Sequence, residues 1–193
     1  WEFEILKTET IPYSIEWQNR LQNAILLSAE DLLALDKEYG FYLGEKTQEF
    51  ISKNNITDLD FIASHGHTVF HQPQRKFTLQ IGDGRALKLT TKKPVIYDFR
   101  SQDVLMGGNG APLVPIGDEL LFSQYDACLN LGGFSNISLQ KNHQRIAFDI
   151  SPVNVVLNYF AEKLGKNYDE NGDFARNGAI NFKILEELNG DWS

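Results

Sequence analysis

Three histidines stand close together in this chain, at His65, His67 and His71. In an extended segment a spacing of two puts His65 and His67 on one side, where two imidazoles can bind a zinc ion and activate water for hydrolysis. A loop whose histidines contact a substrate or backbone groups fits the same residues. No HExxH or comparable second signature accompanies them, and the fourth histidine, His143, falls in a predicted hairpin turn. A second constellation is Tyr97-Asp98-Phe99-Arg100, at the end of an apolar run. A carboxylate at a strand end beside glycine-rich turns can serve as a general base, taking a proton from a water or hydroxyl within hydrogen-bond reach. The pattern equally suits a turn-capping aspartate with Arg100 as its surface partner. Gly107-Gly108-Asn109-Gly110 and Gly132-Gly133 let backbone N–H groups approach an anion closely, and both also serve plain turns. Neither has the spacing of a P-loop or a dinucleotide fingerprint. Ser135-Asn136 follows the second pair, and Asp149 closes a later apolar run. There a carboxylate can hold water around Mg²⁺, or simply end a strand before Pro152.

Positioning these groups requires strands and helices in alternation. The segment Glu2 to Thr10 alternates polar and apolar residues and predicts a half-buried strand ended by Pro12. Helical spacing runs from Ile15 to Leu35, with Ser28-Ala29-Glu30-Asp31 as a second helix start, and another helix is predicted from Asp36 to Lys53. Leu59 to Ser64 predicts a strand feeding the His65-Gly66-His67 loop, and Phe77–Ile81 and Pro94–Tyr97 predict two more short strands. A helix is predicted from Ile116 to Ser123. Ala127–Leu131, Asn136–Leu139 and Arg145–Ile150 then predict a three-stranded meander, because gaps that short make hairpins and not crossovers. A helix from Val153 to Leu164 follows. The fold class is α/β.

Composition bounds the function. The chain has 193 residues, 42% of them apolar, with 18 basic and 26 acidic side chains for a net charge of −8. That balance argues against nucleic acid or an anionic membrane as partner. One cysteine, Cys128, excludes an internal disulfide and predicts an inert, buried strand residue in a reducing compartment. No run approaches the length of a membrane span, and no basic-plus-apolar leader precedes the chain, so the reading is a cytoplasmic globular protein. The chain opens on Trp1 and stops at Ser193, which predicts a piece of something longer.

Several ordered segments together resemble one family. They are Ser64-His65-Gly66-His67-Thr68-Val69-Phe70-His71-Gln72-Pro73, Thr78-Leu79-Gln80-Ile81-Gly82-Asp83, Asp98-Phe99-Arg100 and Gly107-Gly108-Asn109-Gly110-Ala111-Pro112-Leu113-Val114-Pro115. Leu129-Asn130-Leu131-Gly132-Gly133-Phe134-Ser135-Asn136-Ile137-Ser138 and Tyr168-Asp169-Glu170-Asn171-Gly172-Asp173-Phe174-Ala175-Arg176-Asn177-Gly178 continue the series. In this order they resemble the bacterial 1,6-anhydro-N-acetylmuramic acid kinases. The resemblance implies a two-lobed, actin/hexokinase-like (ribonuclease H-like) fold, of which residues 1–124 would be the later, sugar-binding part of lobe one. Residues 125–193 would open the nucleotide-binding lobe two. It implies ATP and Mg²⁺, an anhydro amino sugar from cell-wall recycling as substrate, hydration of the anhydro bridge with phosphorylation of O6, and homodimers. Asp98 would be the catalytic base. His65, His67, Gln80, Arg100, Gly108 and Asn109 would face the sugar, and Gly132, Gly133, Asn136 and Asp149 the nucleotide. No protein-bound metal is implied.

Two departures bear on this expectation. The family's opening Gly-Thr-Ser-x-Asp-Gly-x-Asp phosphate hairpin and its C-terminal adenosine-binding glycine segment are not in these residues, so the 193 residues alone are not expected to be active. Where the family has Asp-Thr-Gly-Pro-Gly-Asn, this chain has Asp149-Ile150-Ser151-Pro152-Val153-Asn154. Losing both glycines limits how closely backbone can approach a ligand there. A sugar-binding homologue without catalysis and a His-ligated zinc hydrolase are the competing readings.

Overall fold

Two serines set the N-terminal architecture. Ser14 caps helix α1 (Ile15–Gln22) by accepting from the Trp17 N–H, and Ser28 caps α2 (Ala29–Lys53) by accepting from the Asp31 N–H. A short 3₁₀ turn, Ala24–Leu26, joins the two helices. The structure is a computed structural model describing residues 2–110, 113–142 and 144–190. Ala111-Pro112 of the glycine motif, His143 in its expected turn, and the terminal Trp1 and Ser193 lie outside the described residues.

The chain divides into two units, one up to Leu121 and one from Phe122 onward. In the first, β1 (Ile62–Ser64) pairs in parallel with β4 (Val95–Tyr97), and β2 (His67–Gln72) forms an antiparallel hairpin with β3 (Phe77–Ile81). Helices α3 (Gly84–Thr91), α4 (Ser101–Leu105) and α5 (Leu113–Leu121) complete it. The core lies where α1 and α2 cover the β2–β3 hairpin: Leu21, Ala24, Leu35, Tyr39 and Ile81 are buried, with Trp17, Leu43, Val69 and Leu79 packed around them. Leu35, Tyr39, Gly40 and Gly44 recur at helical spacing on the buried stripe of α2. The two glycines permit close approach of α3: a methyl on Gly40 would fall 2.6 Å from the Asp83 carbonyl oxygen, and one on Gly44 would fall 2.7 Å from Thr90 Cβ.

In the second unit β5 (Ala127–Leu131), β6 (Phe134–Lys141) and β7 (Gln144–Pro152) form an antiparallel sheet in that order, followed by α6 (Asn154–Lys163), α7 (Asp173–Asn177) and α8 (Phe182–Gly190). The register puts Leu129, Ile137 and Phe148 in one cross-strand row and Ala127, Leu139 and Ile146 in the next, so one face of the sheet is apolar. Leu129, Phe148 and Ile146 on that face are exposed. The architecture is mixed α/β with small sheets, and among the described residues no helix is long and apolar enough to cross a membrane.

Several expectations change. Residues 2–14 carry no regular secondary structure and are exposed, because alternation makes a strand only where an edge is available to pair with. The predicted helix start at Asp36 is absent, since α2 runs unbroken through it. Helix α3 and strand β2 were not foreseen. Asp149 does not end its strand: β7 continues to Pro152 past a bulge opposite Ser135 and Asn136. Cys128 is only partly buried, with its Sγ 3.6 Å from the Arg145 guanidinium.

The junction of α2, β3 and α3 is held by charge. Asp36 Oδ1 accepts from the Gly82 N–H (2.8 Å), and Lys37 Nζ reaches Asp36 at 2.5 Å and Asp83 at 2.6 Å. Buried Asp83 caps α3, accepting from the Arg85 backbone N–H at 2.7 Å and from its guanidinium. Arg85 first, then Lys37, hold the Asp83 carboxyl well below the usual carboxylate range despite its burial. A depressed acid stabilises the fold above its unfolded value near pH ~4, and that contribution is lost as pH falls toward the folded value. Asp83→Ala is therefore expected to cost roughly 2–4 kcal/mol at neutral pH, as an N-cap and a buried acceptor are lost together. Urea unfolding across pH 2–7 checks it: the deficit of the variant should shrink below about pH 4, and a pH-independent deficit would contradict the assignment.

Candidate functional site

The parallel pairing of β1 with β4 sets Ser64 opposite Tyr97. The next residue of each strand, His65 and Asp98, therefore leaves the same carboxyl end, the end at which parallel strands present ligand-binding loops. Asp98 has φ +58, a left-handed conformation that costs a side-chain-bearing residue free energy and that Asp and Asn tolerate best. Its Oδ1 accepts from the Ser101 N–H at 3.3 Å, which starts α4 and leaves the exposed carboxylate a second oxygen. Among the described residues Asn55, Lys76, Lys92, Asn142 and Asn171 share this region, so the conformation fits a turn as well as a functional position.

Arg100 ties the surrounding loops together. Its Nε donates to His65 Nε2 at 2.9 Å, and its Nη1 donates to the Gly110 carbonyl at 3.0 Å. Asp103 Oδ2 accepts from the Gly110 N–H at 2.7 Å. The strand predicted to carry His65 and His67 side by side is interrupted by Gly66 at φ +72. His67 turns to the helical layer, where it meets the edge of the Tyr39 ring and hydrogen-bonds the Leu21 backbone, and burial lowers its basicity. The expected pair of zinc ligands is thereby undone. Among the described residues no group of three or more His, Cys, Asp or Glu could hold a metal ion.

Across the hairpin, Thr68 faces Gln80 and His71 faces Thr78. His71 Nδ1 lies 3.2 Å from Thr78 Oγ1, and Gln80 Nε2 donates to the same hydroxyl at 2.8 Å. Among the described residues Gln80 Oε1 is buried without a hydrogen-bond partner. A methyl on Gly110 would lie 3.4 Å from His71 Cε1, so this polar row adjoins the glycine loop. His65, Asp98, Arg100, Gly108 and Asn109 thus belong to loops, and Gln80 to strand β3, of one unit, and His67 turns away to the helical layer.

The nucleotide candidates lie in the other unit. Cross-strand pairing puts Asn130, Asn136 and Asp149 in one row on the sheet face opposite the apolar one, together with Ser138 and Arg145. The Gly132 and Gly133 carbonyls accept from the Asn154 and Val153 N–H groups, which joins the β5–β6 turn to the start of α6. Oxygen donors in this set suit a hydrated Mg²⁺.

Comparison with known proteins decides what this arrangement belongs to. The sequence model of the anhydro-N-acetylmuramic acid kinase family matches residues 2–192. The chain belongs to this family. Curated relatives named anhydro-N-acetylmuramic acid kinase include those of Haemophilus influenzae (36% identity, 96% of this chain, 52% of the relative) and Aliivibrio fischeri (39% identity, 80% and 44%). That of Bacillus cereus strain G9842 is 30% identical over 95% of this chain and 53% of its own length. The chain spans about half the length of the curated relatives it matches.

Within this kinase-family chain, sequence reasoning did not single out Asp103, Asn130, Thr68 or Thr78, which the structure places beside the candidate residues. Asp103 carried one signal, a carboxylate just ahead of a glycine run whose N–H groups need acceptors. Asn130 carried none, because its alignment with Asn136 depends on the β5–β6 register. The conformation of Asp98 gives a stability test. Asp98→Asn is expected to unfold within about 0.5 kcal/mol of wild type, since Asn accepts the left-handed region equally. Asp98→Val should lose about 1–2 kcal/mol. Urea denaturation of the three proteins reads this, and equal stability of the valine variant would remove the strain assignment.

Proposed function

We propose that this chain forms part of an ATP-dependent kinase that hydrates 1,6-anhydro-N-acetylmuramic acid and phosphorylates it to N-acetylmuramic acid 6-phosphate during cell-wall recycling. Family membership supports the substrate, and the observation that carries the chemistry is Asp98, exposed, left-handed and at the carboxyl end of a parallel strand pair. In this reading the carboxylate takes a proton from water as its oxygen bonds to C1. The C1–O6 bond of the anhydro bridge breaks with its electron pair left on O6, which attacks the γ-phosphorus of ATP as the bond to the bridging oxygen breaks and ADP leaves. Among the described residues Asp98 Oδ1 accepts from the Ser101 N–H, which keeps its other oxygen for the water. His65 and Arg100 fix the walls of the sugar site, while Gln80, with an unsatisfied buried oxygen, offers an acceptor for a sugar hydroxyl or amide N–H. Asn109, at the exposed crest of its loop, contacts the sugar, and Gly108 lets the loop backbone come close. His67, packed on Tyr39, supports the hairpin from behind.

The nucleotide falls to the second unit: Gly132 and Gly133 approach phosphates, and Asn136 and Asp149, joined by Asn130, hold the hydrated Mg²⁺. Bound there, Mg²⁺ neutralises charge on the transferring phosphoryl group, since such transfer relies on positioning and electrostatics. The overall scaffold in this reading is actin/hexokinase-like, with the first unit in the sugar lobe and the second opening the nucleotide lobe. A cytoplasmic homodimer completes it.

The decisive measurement is product formation from ATP, Mg²⁺ and the anhydro sugar, by the full polypeptide that carries this sequence and by its Asp98→Asn variant. Loss of the base should lower turnover about 10²–10⁴-fold with ATP affinity unchanged. Turnover retained in the variant would withdraw the role of Asp98. Sugar binding without product in wild type would instead identify a non-catalytic sugar-binding homologue.

A further inference from the structure

The loop from Gly107 to Gly110 is folded around one carboxylate. The Asp103 carbonyl accepts from the Gly108 N–H at 2.8 Å, the Val104 carbonyl accepts from the Gly107 N–H at 3.1 Å, and Asp103 Oδ2 accepts from the Gly110 N–H at 2.7 Å. Together with the Arg100 bond to the Gly110 carbonyl, both polar backbone groups of buried Gly110 are satisfied by side chains that flank the start of α4. The glycines are explained by the same geometry. Gly107 and Gly110 have φ +95 and +65, and a methyl on Gly110 would lie 2.6 Å from Cγ2 of fully buried Val104. A methyl on Gly108 would meet Asp103 Oδ2 at 2.1 Å. The chain passes so close to this carboxylate that no side chain fits between them.

We infer that Asp103 is a positioning residue: its carboxylate clamps the glycine loop to the helix that follows Asp98, and so fixes Asn109 relative to the base. The assignment of an effect on catalysis rests on the kinase reading; the clamp itself does not. Asp103 is turned into its own loop and takes no part in proton transfer. Its loss loosens the sugar wall and leaves the nucleotide side, which is built in the other unit, unaltered.

Hydrogen exchange and steady-state kinetics of the full polypeptide that carries this sequence test this together. In Asp103→Ala, exchange at residues 107–110 should rise about 10- to 100-fold, the loss expected for a charge-assisted bond, with the β2–β3 hairpin unchanged. The KM for the anhydro sugar should rise at least about tenfold and kcat should fall, while the KM for ATP stays within about twofold. Asp103→Asn retains an acceptor oxygen and should recover most of both losses. Gly108→Ala displaces the carboxylate without removing it and should reproduce the alanine phenotype, which supplies the test should Asp103→Ala not fold. Unchanged exchange in Asp103→Ala overturns the clamp. Faster exchange with unaltered sugar kinetics, or an ATP KM that moves as far as the sugar KM, overturns the positioning role. Absence of turnover in wild type would sink the kinase reading alone, and the exchange data would still judge the clamp.

Discussion

The pairing of Ser64 with Tyr97 is the constraint on which the candidate site depends. Only three residues of each strand are involved, yet the parallel register places the loops after β1 and β4 side by side. A shift of one residue would turn every side chain of β4 to the opposite face and separate Asp98 from His65. The pair is short and exposed, so it needs bracing from outside. That bracing comes from α3, which begins at the charged junction of Asp36, Lys37, Asp83 and Arg85 and runs directly into β4. Gly84, at the start of α3, lies so close to Tyr97 that a methyl there would meet the ring at 2.2 Å. Helix packing, a buried carboxylate and strand register thus converge on the residue that precedes Asp98.

The two units are built on different terms. The first has an apolar core, with Tyr39 buried beneath Trp17 and bonded to the Tyr13 hydroxyl at 2.6 Å. The second has a well-formed ladder and few buried apolar side chains, Ala161 being one. Its sheet separates a polar row, Asn130, Asn136 and Asp149, from an apolar face, the alternation of an antiparallel sheet with two unlike sides.

Much of this was legible in the sequence. The meander, the Ser28 helix start, the α6 helix and the strand ends at Ser64 and Tyr97 follow from period, caps and breakers, which are local signals. The family resemblance carried by the histidine, Asp98-Phe99-Arg100 and glycine segments agrees with the family that the chain belongs to. What escaped was non-local. Residues 2–10 have the alternation of a strand and no paired edge, and His67 has the spacing of a partner to His65 until the positive φ of Gly66 breaks the strand between them. Asp103 escaped because its meaning lies in a loop that folds back over it. Helix α3 was hidden by its glycine start and two threonines, and forms because Asp83 caps it and α2 receives it.

Position 98 joins two demands that few residues meet at once. The backbone there admits Gly, Asn and Asp with little strain, and the proton acceptor proposed for it needs a basic side chain such as Asp, Glu or His. Aspartate alone lies in both sets. From an Asp codon, Asn, Gly and Glu are each one base away, so drift at this site has short routes to a folded protein without a base, and to one that keeps the base on a longer arm in a conformation glutamate resists. On the proposed reading of Asp98, the geometry after β4 makes loss of the base with retention of the fold a short evolutionary step.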